Sequence, residues 1–411
     1  MSTYYVDFNS SNPQYNGLSK DSPVSDYRSL SLSAGDTVLF RCGSFIRDKL
    51  YTVENVTYGA YGEGDMPTFC GSTNVGNLCD WTEISKNIWK CTKSVPGAVG
   101  NIVFNKNECT ATFRWELEDL KSQGDFFDSR CSLGDNSKSN LLETDFYLYS
   151  VGNPAEYYSD IEAVSYNKRS LLDLRDGITV ENLRFINSGV HGMAGSGDNI
   201  HVKNCTFENI GGCAWNKELR IRFGNAFEIW AYGNDILVED CSFKNVYDSC
   251  ITHQGPGEHT TPARNFVCRR CVFDTYGMAA FEYRDKMMID SSFEDNICLN
   301  AGCGFAMLGE ELPRRSEIWP QPMGHHIFLW RIPEKTENGS LLIKNNTFGP
   351  APVGAAIYSI ISKEAEAQIT LQDNIYTLNS TLLVRWGEVD YCDLNEFKQN
   401  TGAESTGRYS G

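Results

Sequence analysis

The chain has 411 residues, of which 41% are hydrophobic and 22% charged, a composition typical of globular proteins and not of disordered ones. Its formal net charge is −17, which argues against nucleic acid as a partner because no basic stripe is available to displace counterions from phosphates. No apolar stretch of about 18 residues occurs, so no membrane-spanning helix is predicted.

The 15 cysteines are spread along the chain. The two closest, Cys268 and Cys271, lie in a strand-like segment, and we interpret them as buried reduced thiols. The N-terminus begins Met1-Ser2-Thr3 and contains no apolar signal core. These features favour a cytoplasmic protein as the sequence stands, or a secreted one if a leader has been removed.

Residues 1–165 are irregular, with short β-like runs such as Tyr4–Val6 and Thr37–Phe40 separated by turns rich in Gly, Asn, Ser and Asp. One helical segment is predicted at 115–123, where two leucines fall three residues apart among charged residues. We interpret this region as an N-terminal cap and the first turns of the fold, with inserted hairpins.

From residue 166 to 391 a repeat appears, in which an alternating apolar run leads to an aromatic residue, then Asn or Thr, then a turn. The aromatic positions are Phe185, Phe207, Phe243, Phe273, Phe293, Phe348 and Tyr376. Their spacings of 22, 36, 30, 20, 55 and 28 residues suit single coils with loop insertions. One such unit cannot bury its inner face alone, so coils must stack, with Phe on Phe and Asn on Asn.

The repeat therefore predicts an all-β fold, a right-handed parallel β-helix, which is a single-stranded solenoid with an N-terminal cap and loop insertions. The alternative, an unrelated series of hairpins, does not require one aromatic to recur in the same frame. Residues 392–411 form a polar C-terminal tail that frays or caps the last coil.

Several motifs resemble the pectate-lyase-like superfamily of β-helix carbohydrate-active proteins. The opening Tyr4–Asp7, then Gly35–Phe40 and Gly152–Tyr158, are similar to segments of bacterial β-helix glycoside hydrolases. Tyr247-Asp248 and Phe281-Glu282 are similar to the acidic strands of the branch that contains α-L-fucosidases and xylanases. The resemblance implies a glycoside hydrolase that acts on a plant or host oligosaccharide or polysaccharide.

The candidate catalytic residues are three acids that lie in apolar, β-prone segments of the sequence: Glu228, Asp248 and Glu282. Equivalent positions on adjacent coils lie about 4.8 Å apart, so Asp248 and Glu282 are expected close together as acid and base or nucleophile, with Glu228 as the third acid. Like charges in such a row raise at least one pKa, which keeps a proton available near neutral pH. The alternative for each acid is a turn-capping or solvent-facing role.

The candidate substrate-binding residues flank these acids or lie in a long insertion at 309–333; they are Trp230, His253, Gln254, Arg284, Trp319 and His326. The tryptophans would stack on sugar rings, and the polar side chains would bind hydroxyl groups or tune a neighbouring acid. Core packing or a structural histidine is the alternative. No metal site is predicted, because adjacent residues such as His325 and His326 point to opposite faces of a strand.

Two further function classes remain open at this stage. A polysaccharide lyase or uronate epimerase needs a base for the C5 proton and cations around the uronate, and such enzymes often use Ca²⁺ bound by acids. A non-catalytic glycan-binding β-helix needs neither. No cofactor is predicted for the hydrolase.

Overall fold

The computed structural model of the chain describes residues 1–130, 145–308, 323–377 and 382–411. Three long sheets run side by side along the chain, and each coil contributes one strand to each sheet in turn. Neighbouring strands in these sheets pair in parallel, apart from the last strand of the third sheet. The predicted fold class, an all-β right-handed parallel β-helix, is confirmed.

The strands of each sheet follow in spatial order. Sheet 1 comprises Thr3–Val6, Thr37–Arg41, Thr57–Tyr61, Thr179–Glu181, Ile200–Lys203, Asn234–Glu239, Arg264–Arg269, Ser291–Glu294, Leu341–Lys344 and Ile369–Gln372. Sheet 2 comprises Phe45–Ile46, Thr68–Cys70, Arg184–Ser188, Thr206–Ile210, Ser242–Val246, Val272–Tyr276, Ile297–Ala301, Thr347–Phe348, Ile375–Tyr376 and Arg408–Tyr409. Sheet 3 comprises Ser170–Leu174, His191–Gly195, Phe227–Trp230, Ser249–Gln254, Ala279–Arg284, His325–Trp330, Ile357–Ile360, Val384–Trp386 and Val389–Tyr391.

The predicted aromatic ladder lies inside the coil on sheet 2, with one error. Phe207, Phe243 and Phe273 stack with ring centroids 4.8 Å apart, and all three are fully buried. Phe293, however, belongs to sheet 1, and the ladder position beside Phe273 is filled by Cys298. The prediction for Phe293 was wrong because its Ser-Ser-Phe-Glu-Asp context resembles the ladder frame, whereas the register follows the whole coil.

Asparagine ladders turn the corners between sheets. Asn245 donates to the Asn209 side chain at 2.6 Å, and Asn209 donates to Asn187 at 3.1 Å. All three have φ of 55–57°, a left-handed conformation that asparagine tolerates better than most residues. At another corner, the backbone N–H of Asn296 donates to Asn346 Oδ1 at 2.9 Å, and Asn346 N–H donates to Asn374 Oδ1 at 2.9 Å.

That second corner continues as a ladder of thiols. The backbone N–H of Cys205 lies 3.4 Å from Cys241 Sγ, and that of Cys241 lies 3.4 Å from Cys271 Sγ. Cys268 and Cys271 are fully buried free thiols, so the described structure agrees with their interpretation as small core residues. No helix in the described ranges is long and apolar enough to cross a membrane.

An insertion within residues 72–165 forms two mainly antiparallel sheets beside the first coils. One comprises Ser72–Asn74, Val99–Phe104, Cys109–Thr110 and Ile161–Ser165, and the other comprises Trp81–Ser85, Ile88–Cys91, Thr112–Phe113, Asp125–Asp128 and Phe146–Tyr149. They share a hydrophobic core that includes Trp81, Phe104, Phe126 and Phe146, and helix α1 spans Pro154–Tyr157.

The helix predicted at 115–123 is wrong, since only a single 3₁₀ turn, Leu117–Asp119, forms there. The Asp125 carboxylate accepts the backbone N–H groups of Lys121 and Ser122 at 2.9 and 2.8 Å, which removes these donors from a helix.

The C-terminal residues cover the end of the solenoid. Helix α2 spans Lys363–Glu366, and α3 spans Leu394–Thr401 after the N-cap Asp393. Leu394 and Phe397 are buried against the main core, and Arg408–Tyr409 adds a final strand to sheet 2. The segment predicted as a polar tail therefore packs as a cap on the last coil.

Candidate active site

A cleft of about 660 Å³ opens on the outer face of sheet 3. Its wall includes all three predicted acids, Glu228, Asp248 and Glu282. Three of the predicted substrate-binding residues also line it, namely Trp230, Gln254 and Arg284. The two-residue period of a strand explains this placement, since Phe281 and Tyr283 point into the coil while Glu282 and Arg284 point out.

The three acids lie on consecutive coils but not in one column. Glu228 pairs in register with Thr252, which pairs with Glu282, so the two glutamates share a column with one residue between them. Asp248 immediately precedes the strand Ser249–Gln254, four residues before Thr252. The column thus sets the two glutamate backbones about 9.6 Å apart, twice the strand spacing.

Glu282 is the most enclosed of the acids. Trp330 Nε1 donates to its Oε1 at 2.9 Å, and its Oε2 contacts Ser249 Oγ at 2.8 Å. Burial raises the pKa of Glu282, Arg284 opposes that shift, and the nearby Asp248 adds to it. Trp330 can only donate, so a proton on Glu282 would lie on Oε2, where the Ser249 hydroxyl can accept it.

Glu228 is held by amide donors. Asn225 Nδ2 and Gln254 Nε2 both donate to its Oε2, at 2.7 and 2.6 Å. Arg169 approaches Oε1 to 3.6 Å from the turn before sheet 3. Four groups from three coils therefore converge on one point of the cleft.

His191 is a buried neighbour of this cluster that the sequence did not single out. Its Nδ1 accepts the backbone N–H of Asn225 at 3.1 Å, which places the ring proton on Nε2. Burial lowers the pKa of His191, although Glu228 opposes this shift. The 3.5 Å approach of Nδ1 to Glu228 is therefore a contact with a neutral imidazole and not an ion pair.

A two-stranded hairpin, Cys213–Asn216 and Ile221–Phe223, forms one wall of the cleft. Arg222 anchors it, because Nε and Nη2 donate at 2.7 Å to the carbonyl oxygens of Gly212 and Gly100. The same guanidinium lies 4.3 Å from the Phe113 ring of the insertion and 4.5 Å from Tyr247. The hairpin presents Trp215, whose side chain is 49% exposed.

Two predicted substrate-binding residues do not reach the cleft, which corrects those expectations. His253 points into the coil, stacks on Tyr283 at 5.0 Å and is 1% exposed. His326 is fully buried, where its Nδ1 contacts the Tyr276 hydroxyl and its Nε2 donates to Gly349 O at 2.8 Å. His253 lies at an inward position of its strand. His326 also points inward, although it shares the parity of the outward Phe328 and Trp330, because the alternation breaks between His326 and Ile327. Neither histidine therefore has surface to offer a sugar. Trp319 and most of the predicted overhanging loop lie outside the described residues.

Sequence reasoning missed Arg169, His191, Asn225 and Trp215 because they lie outside the acid-bearing strand segments. Only Asn225 carried a signal, since it lies two residues before the Phe227–Trp230 strand. In the described part of the chain, no cluster of three or more His, Cys, Asp and Glu side chains is arranged to hold a metal ion.

Neither a protein-family model nor a curated protein matches the chain, but solved structures do. XylC, solved in complex with xylose, aligns with 92% of this chain and 64% of its own at 12% identity and a TM-score of 0.52. The GH136 lacto-N-biosidase from Eubacterium ramulus aligns over 93% of this chain and 61% of its own at 14% identity and a TM-score of 0.49. The exopolygalacturonase from Thermotoga maritima covers 87% and 86%, at 10% identity and a TM-score of 0.37.

What XylC shares with the chain is the parallel β-helix fold. The chain spans less than two thirds of the length of XylC and of the lacto-N-biosidase.

Proposed function

We propose that the protein is a glycoside hydrolase whose active site is the cleft on sheet 3. The observation that carries the proposal is the convergence of Glu228, Asp248 and Glu282 in one cleft bordered by exposed tryptophans. Two carboxyl groups in different environments are what acid- and base-assisted cleavage of a glycosidic bond requires. XylC, which has a similar fold, was solved with xylose, and this agrees with a sugar ligand.

Glu282 is assigned the role of proton donor. Its burial and the proximity of Asp248 favour the protonated form, although the hydrogen bond from Trp330 opposes this shift. It would deliver the proton to the glycosidic oxygen as the bond to the anomeric carbon breaks. Asp248, less buried and four residues offset on the preceding coil, is assigned as the base or nucleophile through which water is added to that carbon.

Glu228 is assigned a positioning role. Because two amide groups donate to its Oε2, this carboxylate is fixed in orientation and can accept a sugar hydroxyl only at Oε1. Trp230 and Trp215, 37% and 49% exposed, offer ring faces for stacking on sugars.

The test is hydrolysis of a broad glycan panel, with products identified by mass. Asp248→Asn and Glu282→Gln are expected to lower kcat at least about a hundredfold, the usual contribution of acid–base catalysis. Glu366→Gln is the matched control, because Glu366 is also buried, has a raised pKa and contacts a serine hydroxyl, Ser359 Oγ, at 2.9 Å. Undiminished hydrolysis by both active-site variants would contradict the assignment of Asp248 and Glu282 as the catalytic acids.

A lyase or uronate epimerase is the second candidate, and the observation that favours it is Arg284, which lies beside Glu282 in the cleft. Such an enzyme would release an unsaturated uronate or an epimerised sugar instead of adding water. Ultraviolet absorbance of the products distinguishes a lyase from the hydrolase. Binding without turnover, unaffected by either acid substitution, would indicate a non-catalytic glycan-binding protein.

A further inference from the structure

The charge balance of the cleft is opposite to that of the whole protein. The chain carries 53 acidic and 36 basic residues. Among the described residues, the cleft is lined by three acids and by five arginines, which are Arg169, Arg220, Arg222, Arg284 and Arg331. All the cations are arginine, the side chain whose planar fork suits carboxylate and sulfate groups.

One of these arginines is explained by structure alone. Nε and Nη2 of Arg222 donate hydrogen bonds to backbone carbonyl oxygens, and its guanidinium lies close to the rings of Phe113 and Tyr247. It holds the hairpin against the insertion, so it is not counted further as a ligand group.

Arg284 is different, because its hydrogen-bonding capacity is not satisfied. Its Nε is shielded from solvent and has no hydrogen-bond partner among the described residues. Its ion-pair neighbour, Asp285, lies 3.8 Å from Nε, which is beyond hydrogen-bond distance. The guanidinium lies 4.9 Å from the centre of the Trp330 ring, which holds it at the cleft wall. A desolvated guanidinium with an unused donor is a strong site for an anion.

Two further arginines extend this positive surface. Arg331 lies 5.3 Å from the same Trp330 ring and is 49% exposed, with Asp285 at 3.2 Å. At the other end of the cleft, Arg169 is 57% exposed, lies 5.9 Å from the Trp230 ring, and comes only within 3.6 Å of Glu228. A neutral sugar needs none of these cations, whereas an anionic sugar would be repelled by three acids without them.

We propose that the substrate of this site is an anionic saccharide whose carboxylate or sulfate group binds to Arg284, with Arg331 and Arg169 providing the flanking positive charge. This inference rests on the proposed function only in taking the cleft as the saccharide site. It concerns what the sugar carries and not how the bond is broken.

The experiment measures binding to the Glu282→Gln variant by titration calorimetry, so that turnover does not intervene. The probes are oligosaccharides of matched length in three forms: neutral, uronate-containing and sulfated. At least one anionic form is expected to bind about tenfold or more tightly than its neutral counterpart, an advantage that weakens with added salt. Comparison of the uronate and sulfate forms identifies the source of the anion.

Adding Arg284→Gln is expected to remove the advantage of the anionic form, so that the anionic and neutral forms bind with similar affinity. Arg169→Gln and Arg331→Gln, at half-exposed positions that tolerate substitution, repeat the test if Arg284→Gln fails to fold. Arg264→Gln is the charge-matched control, since Arg264 lies on sheet 1, is 54% exposed and contacts only Asp290 at 3.8 Å among the ion pairs of the described chain.

The failure of this inference differs from the failure of the proposed function. Equal binding of neutral and anionic forms, or no binding of any anionic form, would overturn the inference, and hydrolysis of neutral glycans would leave the hydrolase in place. Selective binding of the anionic form accompanied by an unsaturated product in the wild type would overturn the hydrolase and support the inference.

Discussion

Glu228 and Glu282 share one column of sheet 3, and Thr252 stands between them in the intervening coil. The Thr252 hydroxyl is buried and has no hydrogen-bond partner among the described residues. Thr252 has a shorter side chain than the glutamates on either side, so the column projects less into the cleft at its middle. Asp248 enters the cleft from the turn that precedes the strand Ser249–Gln254. The site is therefore a triangle of acids and not the straight row that the repeat spacing suggests.

Replacing Trp330 by Phe is expected to move the alkaline limb of the kcat profile to higher pH. The indole N–H donates to Glu282 at 2.9 Å and favours the ionised carboxylate, so its loss raises the pKa of Glu282 further. The measurement is kcat against pH for wild type and variant. An alkaline limb that stays in place would show that Glu282 is not the group titrating there.

Glu282→Gln is expected to stabilise the fold at neutral pH while it abolishes activity. The folded wild type holds a proton on Glu282 that the unfolded chain releases above pH 4.5, so its stability falls as pH rises from 4.5 through the raised folded-state pKa. Glutamine does not ionise, and the variant should gain on the order of 1 kcal/mol relative to wild type across this range. Urea unfolding at pH 4 and pH 7 measures the difference, and an equal offset at both pH values would contradict it.

His253→Phe is expected to leave hydrolysis unchanged and to reduce acid sensitivity. Burial lowers the pKa of His253 from 6.5 to about 3, so the wild type loses stability as pH falls from 6.5 toward 3, on the order of 4 kcal/mol in total. Neither ring nitrogen has a partner among the described residues, so phenylalanine breaks no hydrogen bond there. Denaturant midpoints over this pH range test the slope, and a large rise in KM would restore a substrate-binding role.

Asn346→Ala is expected to destabilise the protein by about 2–4 kcal/mol. Its side chain accepts the Asn296 N–H at 2.9 Å and donates to Phe293 O at 2.9 Å, so the substitution leaves buried backbone groups unpaired. Asn400→Ala, at an exposed position in α3, is the control and should change stability by less than about 0.5 kcal/mol. Thermal unfolding of the two variants side by side decides the comparison.

Trp215→Ala is expected to raise KM about threefold to tenfold with little change in kcat. Trp215 lies on the hairpin and touches the substrate only through a ring face in the proposed function, so its loss removes binding and not chemistry. Steady-state kinetics on the best substrate of the glycan panel measures both constants. A fall in kcat alone would instead place the hairpin in the chemical step.

The periodic part of the sequence was predictable because coil stacking depends on local residue patterns. The Phe and Asn ladders and the outward direction of Glu228 and Glu282 follow from the repeat and the two-residue period of its strands. For the C-terminal tail, polar composition alone allows either fraying or a cap on the last coil. Phe293 was misplaced because the same short frame occurs on two sheets, and only the pairing of whole coils separates them.

The walls of the cleft could not be predicted in the same way. Trp215 and Arg169 lie in a hairpin and a turn, whose position over sheet 3 depends on contacts with the insertion and not on any period. The inward direction of His253 was within reach, since it adjoins Gln254 and adjacent residues of a strand point to opposite faces. That of His326 was not, because His326 shares the parity of the outward Phe328 and Trp330 and points inward only through a break in the alternation of its strand.

Phe69 and Phe185 stack at 5.7 Å on adjacent rungs of sheet 2, although the whole insertion separates them in the chain. Closing so long a loop costs conformational entropy before any contact is gained, whereas the later coils join neighbours that are close in sequence. Folding is thus expected to start in the C-terminal coils, and the first coils then pack onto coils that have already folded. The hairpin wall of the cleft, which Arg222 ties to Gly100 and Phe113 of the insertion, would then be among the last parts of the molecule to take its final shape.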